Sequence, residues 1–215
     1  MTPHTHTLAP LAPRRPAGVQ PVPGQPELVL PARGPVRAGQ DLITAQQART
    51  VTEQQARHEL IQHLGMPMAP DEHMDEFADH LAEETGMLYG FVNVLLADQR
   101  FVGLHNPPPD SGHLILGRTM SLEHGWCPAV VRRKKALPLY DVYASPRFSG
   151  NYVVDAVGTR SYVGTPVIHP ETGIVLCTAC VTDPEPRTRK DARRILGAVK
   201  EAGRDILHTF SDTPR

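Results

Sequence analysis

The segment Ser161–Asp183 reads SYVGTPVIHPETGIVLCTACVTD and constrains the architecture more than any other part of the chain. It contains two apolar runs, 161–169 and 173–183, rich in the β-branched residues that favour strands. The tripeptide Glu171-Thr172-Gly173 lies between the runs and is typical of a tight hairpin turn. Pro166 cannot donate a ladder hydrogen bond, so we expect an edge position or a bulge at that residue. The segment therefore predicts a β-hairpin.

The chain on both sides of this hairpin alternates between strand and helix patterns. Three further segments have strand patterns: 88–97, 100–105 and 137–142. Three segments have the residue spacing of helices: 71–86, 121–135 and 188–210. The run 88–97 is apolar on both alternating faces, which is typical of a central strand covered on both sides. The order of these elements predicts an α+β fold, in which helices pack on a single antiparallel sheet.

The chain before these elements divides into two parts. Residues 1–40 are rich in Pro, Gly and Arg and have no apolar period, which predicts a disordered tail. Residues 41–66 are rich in Ala, Gln, Arg and Glu, which favours a helix. Its apolar face looks too thin for a core helix, so we expect a linker or dimerisation helix. The domain itself is predicted at 71–210.

The bulk composition argues against several classes of protein. The 215 residues are 40% apolar and carry a formal net charge of −1, so neither nucleic acid nor an anionic membrane is an expected partner. No apolar run is long enough to span a bilayer. The three cysteines are an odd number, which argues against a disulfide framework and favours a cytoplasmic location.

Six short motifs follow one another across the predicted domain. They are Glu84-Thr85-Gly86, Cys127, Asp141-Val142 with Ser145-Pro146-Arg147-Phe148, Arg160 to Val167, Thr172-Gly173 and Cys180 to Pro184. Taken together, these motifs resemble the GAF domain family, in the short form common in bacterial sensor proteins. The resemblance implies a small-molecule pocket between the sheet and the segments that cross it. Family members bind cyclic nucleotides, haem, bilins or other metabolites, or serve as dimerising modules, so the cofactor stays unknown.

The spacing of two cysteines is that of a metal or redox site, but the strand predicted for them argues against one. Cys177 and Cys180 form a Cys-x-x-Cys motif, but residues three apart on a strand point to opposite faces. We therefore expect two buried structural thiols. Cys127, next to Trp126, would have a lowered pKa and high reactivity if it began a helix. The alternative is that Cys127 is a small buried apolar side chain.

Eight residues are candidates for contact with a ligand: Trp126, Cys127, Asp141, Arg147, Tyr152, Arg160, Tyr162 and Thr178. Arg147 and Arg160 suit an anionic ligand, because a guanidinium group binds carboxylate or phosphate in a bidentate manner. Alternatively, Asp141 pairs with an arginine and holds a loop in place. No recognisable set of nucleophile and base, and no zinc-like ligand spacing, accompanies them. We therefore predict neither a catalytic residue nor a metal.

These observations favour a non-catalytic sensory domain that binds a small molecule or a partner protein in signal transduction. Only Ser211–Arg215 follow the last predicted helix, so we expect the output to pass through a homodimer or a signalling partner. Two alternatives stay open. One is a thiol-based enzyme or redox sensor similar to the free methionine sulfoxide reductases that use a GAF scaffold. The other is an interaction module with a filled pocket.

Overall fold

A six-stranded sheet forms the centre of the protein in a computed structural model that describes residues 37–211. Its strands are β1 Tyr89–Leu95, β2 Gln99–His105, β3 Thr119–Met120, β4 Leu137–Leu139, β5 Ser161–Ile168 and β6 Val175–Asp183. Their spatial order is β3-β2-β1-β6-β5-β4, and all neighbouring strands are antiparallel. The predicted α+β fold with one antiparallel sheet is thereby confirmed. The predicted tail lies outside the described residues up to position 36.

Helices cover both faces of this sheet. Those in the described part of the chain are α1 Arg37–His63, α2 Glu72–Thr85, α3 Cys127–Arg133, α4 Pro146–Ser149, α5 Tyr152–Val157 and α6 Arg189–Ser211. The predicted caps of α2 are confirmed. The side chain of Asp71 accepts a hydrogen bond from the backbone N–H of Met74, and Gly86 ends the helix with a positive φ of 66°.

The core consists of two layers, one on each face of the sheet. Helices α1, α2 and α6 pack on one face against residues such as Val92 and Val94. Helices α3 and α5 pack on the other face, against residues such as Phe91 and Leu95. Every residue of β1 is buried, because the alternating side chains of this central strand enter both layers. This is the environment predicted for the run 88–97.

Two glycines allow α2 to lie close to the sheet. A Cβ atom on Gly90 would overlap the backbone carbonyl of Ala78, and one on Gly103 would overlap the carbonyl of Met74. Both glycines lie on strands beneath α2, so the helix backbone rests directly on the strand backbones.

The C-terminal half of α1 lies in the core, and the expectation that its apolar face is too thin was wrong. Ile61 is fully buried, and Leu60 and Leu64 pack against the same layer. Arg57 is only 4% exposed, and its guanidinium donates to the carbonyl oxygens of Val175 at 2.6 Å and Leu95 at 3.1 Å. The periodicity missed this face because Arg57 occupies a core position, where its two hydrogen bonds offset the cost of burial.

The segments that cross the second face differ most from prediction. The predicted helix 121–135 is confined to α3, because the side-chain amide of Gln99 donates to the carbonyls of Ser121 and His124 and holds 121–126 as a loop. The predicted strand 137–142 ends at Leu139, and a short 3-10 helix follows at Val142–Ala144. The two-residue strand β3 and helix α5 were not predicted.

The expectation for Pro166 is confirmed. Strand β4 pairs with β5 only at Tyr162–Gly164, so Pro166 lies beyond the end of β4 and is locally at an edge. The pairing of β5 with β6 is also irregular between Val167 and Ile168. Proline is tolerated where a ladder donor is not required.

Candidate functional site

An apolar cavity of about 210 Å³ lies between the sheet and the helices α3 and α5. Its apolar walls include Phe91, Phe101, Trp126 and Val153. The polar side-chain groups of its lining residues are neutral hydroxyls, thiols and the indole N–H of Trp126, and no Asp, Glu, Lys or Arg of residues 37–211 belongs to the lining. Tyr152 lines the cavity and is also 58% exposed, so the cavity reaches solvent beside that ring.

Aromatic rings form two pairs around this space. The ring centroids of Trp126 and Tyr162 are 5.2 Å apart, and those of Phe91 and Phe101 are 4.9 Å apart. Both pairs are tilted, which is a favourable arrangement for aromatic side chains. Pairs of this kind hold one another in place, so the walls are formed before any ligand enters.

Two sulfur atoms meet at the inner end of the cavity. Cys127 Sγ lies 3.4 Å from Cys180 Sγ and 3.3 Å from the hydroxyl oxygen of Tyr162. The three residues come from α3, β6 and β5 respectively. Both cysteine side chains are buried, and both line the cavity.

The environment of Cys127 favours its thiolate form. A hydrogen bond from Cys180 lowers the pKa of Cys127 most strongly, burial opposes this, and Thr178, Tyr162 and Asn93 lower it further, to about 6. The same interaction raises the pKa of Cys180, and burial raises that of Tyr162. The two thiols in contact therefore titrate as a pair, in which the first proton is lost more readily than the second.

Buried amides fix the chain just before Cys127. Asn93 donates to Gln99 at 2.9 Å, and Gln99 in turn donates to the backbone carbonyls of the loop 121–126. Asn151, the residue before α5, makes two hydrogen bonds to the backbone of Gly125, at 2.9 and 2.8 Å. The loop is thus held from the sheet on one side and from α5 on the other, which sets the position of Cys127.

A glycine sets the position of the tyrosine hydroxyl. Gly164 lies two residues after Tyr162 on the same face of β5, and a Cβ at this position would overlap the phenol oxygen. The phenol ring therefore lies across the glycine, where a side chain would otherwise stand. In this orientation its hydroxyl reaches Cys127.

Cys177 and Cys180 point to opposite faces of β6, as predicted. Cys177 belongs to the layer under α1, α2 and α6, whereas Cys180 belongs to the layer that contains the cavity. Burial raises the pKa of Cys177 to about 12. The contact between Cys180 and Cys127 was not predicted from the sequence, because the two residues are 53 positions apart and lie on different elements.

Five of the eight predicted ligand residues lie at or beside the cavity. Trp126, Cys127, Tyr152 and Tyr162 line it. Thr178 is fully buried beneath it and contributes to the lowered pKa of Cys127. These residues come from four elements, α3, α5, β5 and β6, and from the loop before α3.

The other three predicted residues lie outside the lining. Arg160 forms two hydrogen bonds with the carboxylate of Asp141, at 3.3 and 3.1 Å, and its guanidinium stacks 4.7 Å from the ring of Tyr143. This is the loop-holding ion pair given as the alternative above. Arg147 lies 5.6 Å from the ring centroid of Phe148. The structure brings none of the three to the aromatic cavity.

Several residues that build the site were not predicted from the sequence. Phe91 and Phe101 form a wall, and Asn93 and Gln99 hold the loop. Asn93 carried a usable signal, since it is the one amide within the apolar run 88–97. A polar side chain in a fully buried strand needs a hydrogen-bond partner. Such a residue therefore indicates a position where a specific contact constrains the structure.

Residues 37–211 contain no group of three or more His, Cys, Asp or Glu residues that could hold a metal ion. None of the helices in this region has the length and apolar character needed to cross a membrane.

Comparison with known proteins places this architecture in a family. The model of the GAF domain family matches residues 73–201. No curated protein matches the chain. Similar solved structures include the A. Aeolicus nlh2 GAF domain in an inactive state, at 12% identity and a TM-score of 0.49, covering 75% of this chain and 97% of that one.

Two further solved structures are also similar to the chain. The GAF domain from an Acinetobacter phosphoenolpyruvate-protein phosphotransferase is 14% identical, with a TM-score of 0.45 and coverage of 74% of this chain and 96% of that one. A type II free methionine-R-sulfoxide reductase from Thermoplasma acidophilum is 15% identical, with a TM-score of 0.45 and coverage of 64% and 92%. The family match spans more than half of the 215 residues, and the protein therefore belongs to the GAF domain family.

Proposed function

We propose that this GAF domain is a sensory module that binds a small neutral molecule in the aromatic cavity and catalyses no reaction. The observation that supports this most is the character of the cavity, which is enclosed by aromatic and aliphatic side chains and has no charged lining residue among those described. Pockets of this kind bind ligands largely through apolar burial, with a few polar groups that set orientation.

The size and polarity of the cavity narrow the class of ligand. An apolar cavity of roughly 150 Å³ holds a benzene-sized molecule, so about 210 Å³ suits one ring with a short substituent. A charged group would lose its hydration without gaining a counter-ion. Thr119, Thr159 and Thr182 belong to the same lining, and side chains that carry a hydroxyl are suited to a neutral polar substituent.

Thermal denaturation with matched ligands tests this proposal. Benzyl alcohol and benzoate have the same ring and differ in charge, so we expect benzyl alcohol to raise the Tm and benzoate to leave it unchanged. Val153→Phe, which fills the cavity, should abolish the effect. Val51→Phe, at a 61% exposed position, is the matched control and should respond like the wild type. Equal effects of both ligands, or no effect of either, would contradict the proposal.

A thiol-dependent enzyme on the same scaffold is the second candidate, and the contact between Cys127 and Cys180 favours it. A thiolate beside a thiol is suited to reduce an oxidised substrate. Free methionine sulfoxide is a poor fit, however, because its ammonium and carboxylate groups would both enter a cavity whose described lining carries no charge. This contrast is why we place the binding function first.

A turnover assay separates the two candidates. The protein is incubated with methionine sulfoxide and dithiothreitol, and methionine is measured. Our proposal predicts a rate at background for the wild type and for Cys127→Ser alike. Turnover that depends on Cys127 and survives Cys177→Ser would establish the enzyme instead.

We also propose that the protein is cytoplasmic and signals through a homodimer or a partner protein. The three cysteines are unpaired, which is consistent with a reducing compartment. Helix α1 remains our proposed dimerisation element. Light scattering of the full chain and of a variant lacking residues 1–46 would test this, because a deletion that reached Arg57 or Ile61 would remove core residues as well. An unchanged number of subunits in the particle would contradict a role for that segment.

A further inference from the structure

We infer that Cys127 and Cys180 are an oxidation site for organic hydroperoxides, at which a hydroperoxide that enters the aromatic cavity converts the two thiols into a disulfide. The inference rests on the proposed binding function and names a ligand class for the same cavity. The reaction is stoichiometric, so it records exposure to the oxidant and does not make the protein a catalyst.

The geometry of the sulfur pair carries this inference. A disulfide bond is about 2.05 Å long, so the sulfur atoms, now 3.4 Å apart, need to approach by roughly 1.4 Å. Cys127 is the first residue of the seven-residue helix α3. Cys180 is fixed in the central part of β6. The two sulfur atoms therefore come from separate elements and face each other in the lining of the cavity.

The two cysteines differ in chemistry in the way that such a reaction requires. The contacts of Cys127 lower its pKa, which favours a nucleophilic thiolate, and the pKa of Cys180 is raised. Tyr162 stands beside Cys127 with its hydroxyl 3.3 Å from the sulfur. An attacking thiolate and a second thiol in van der Waals contact are the two participants of disulfide formation through a sulfenic acid.

The reaction proceeds in two balanced steps. The Cys127 thiolate attacks the terminal oxygen of the hydroperoxide, so that an S–O bond forms, the O–O bond breaks, and the leaving alkoxide takes the proton of Cys180 to become an alcohol. The Cys180 thiolate then attacks the sulfur of the sulfenic acid. An S–S bond forms, the S–O bond breaks, and the departing hydroxide takes a proton from solvent to give water. The sulfur pair loses two electrons, and the two peroxide oxygens gain them.

The cavity walls select the class of oxidant. An organic hydroperoxide buries its hydrocarbon part against rings such as Trp126 and Phe91, whereas hydrogen peroxide has no such part. Binding in the cavity does not speed the oxidation of Cys177, because this residue lies on the other face of the sheet. Selectivity is therefore expected both among oxidants and among the three cysteines.

Intact mass and free-thiol counts after treatment with cumene hydroperoxide test the inference. In the wild type we expect a product two hydrogens lighter, one remaining free thiol, and a cross-linked peptide pair that contains Cys127 and Cys180. The rate should exceed that with equimolar hydrogen peroxide by about tenfold or more, as expected when a buried hydrocarbon group contributes to binding. In Cys180→Ser the reaction should stop at the sulfenic acid of Cys127, so that the product is one oxygen atom heavier than the reduced protein. Cys177→Ser, the matched control, should behave like the wild type.

Three outcomes would overturn the inference. They are a wild type that keeps its three free thiols, a disulfide that involves Cys177, and a Cys127→Ser variant that loses thiols as fast as the wild type. The alcohol product, 2-phenyl-2-propanol, separates this failure from failure of the proposed function. If the alcohol raises the Tm while the thiols persist, the oxidation site is refuted and the binding function stands. If the alcohol has no effect and the thiols persist, both fail.

Discussion

Cys177 and Cys180 lie three residues apart on β6, and their side chains enter opposite layers of the domain. The motif they form therefore has no joint chemistry. Cys180 instead meets Cys127, which lies 53 positions earlier in the chain and starts α3. A site with two adjacent thiols thus arises from tertiary structure, and several properties of the protein depend on it.

The reactivity of Cys127 should follow its lowered pKa. Because that pKa is about 6, alkylation by iodoacetamide should already be near its plateau at pH 7 and slow about tenfold per pH unit below 6. Cys177, whose pKa burial raises to about 12, should stay unmodified in the folded protein. Peptide mass spectrometry over pH 5–9 measures both. A midpoint near 8.5 for Cys127, the ordinary thiol value, would contradict this assignment.

Tyr162 should act as a positioning residue for the thiolate. Tyr162→Phe removes one hydrogen-bond donor from Cys127, so the pKa of Cys127 should rise and alkylation at pH 6 should slow by about threefold to tenfold. The rate at pH 9 should change little, because the thiol is then ionised in both proteins. Tyr152→Phe, on the exposed side of the cavity, is the control and should keep the wild-type profile. Slowing by the same factor at every pH would indicate blocked access instead.

Arg57 should contribute to stability through its buried hydrogen bonds. Arg57→Ala leaves the carbonyls of Val175 and Leu95 without their donor, so we expect the free energy of unfolding to fall by about 2–4 kcal/mol. Arg49→Ala, at an exposed position of the same helix, should change it by less than about 0.5 kcal/mol. Urea denaturation provides both values. Equal effects of the two substitutions would show that the end of α1 does not depend on this contact.

The ion pair between Asp75 and Arg118 should make stability depend on acidity. Burial raises the pKa of Asp75, but the hydrogen bonds from Arg118, at 2.7 and 2.8 Å, and from the N–H of Leu104 outweigh it, and the net shift is downward. A lowered pKa stabilises the fold above the unfolded-state value, near 4, and this contribution is lost as the pH falls through the folded-state pKa.

Asp75→Asn should therefore reduce the free energy of unfolding by about 1–2 kcal/mol at pH 7. The difference from the wild type should shrink at pH 3, where the wild-type carboxylate is also being protonated. Asp110→Asn, at an exposed loop position, is the control and should match the wild type at pH 7. A difference that persists undiminished at pH 2 would show that charge is not the cause.

Local sequence signals predicted the elements that recur along the chain. The apolar run 88–97 predicted a covered central strand, and Asp71 and Gly86 predicted the ends of α2 through their capping chemistry. The hairpin and the last helix followed from turn residues and periodicity in the same way. These features depend on neighbours within a few residues, and that is why a single sequence contains them.

The rest of the site depends on contacts between distant residues. Nothing near Cys127 in the sequence indicates Cys180, and nothing near Arg57 indicates the two strand carbonyls it reaches. Helix α3 begins at Cys127, later than predicted, because the side chain of Gln99 on β2 donates hydrogen bonds to backbone carbonyls of the loop 121–126. Each of these differences from the prediction involves a polar or sulfur atom whose partner is distant in the sequence and lies close only in the folded protein.

A crystal structure of the protein with 4-bromobenzyl alcohol tests the central claim most directly, because the anomalous signal of bromine locates the ligand without ambiguity. We expect the ring between Trp126, Phe91 and Tyr162, with the hydroxyl toward the threonine hydroxyls of the cavity. A cavity that stays empty at saturating ligand, or a bromine position elsewhere on the molecule, would contradict a binding site in this space.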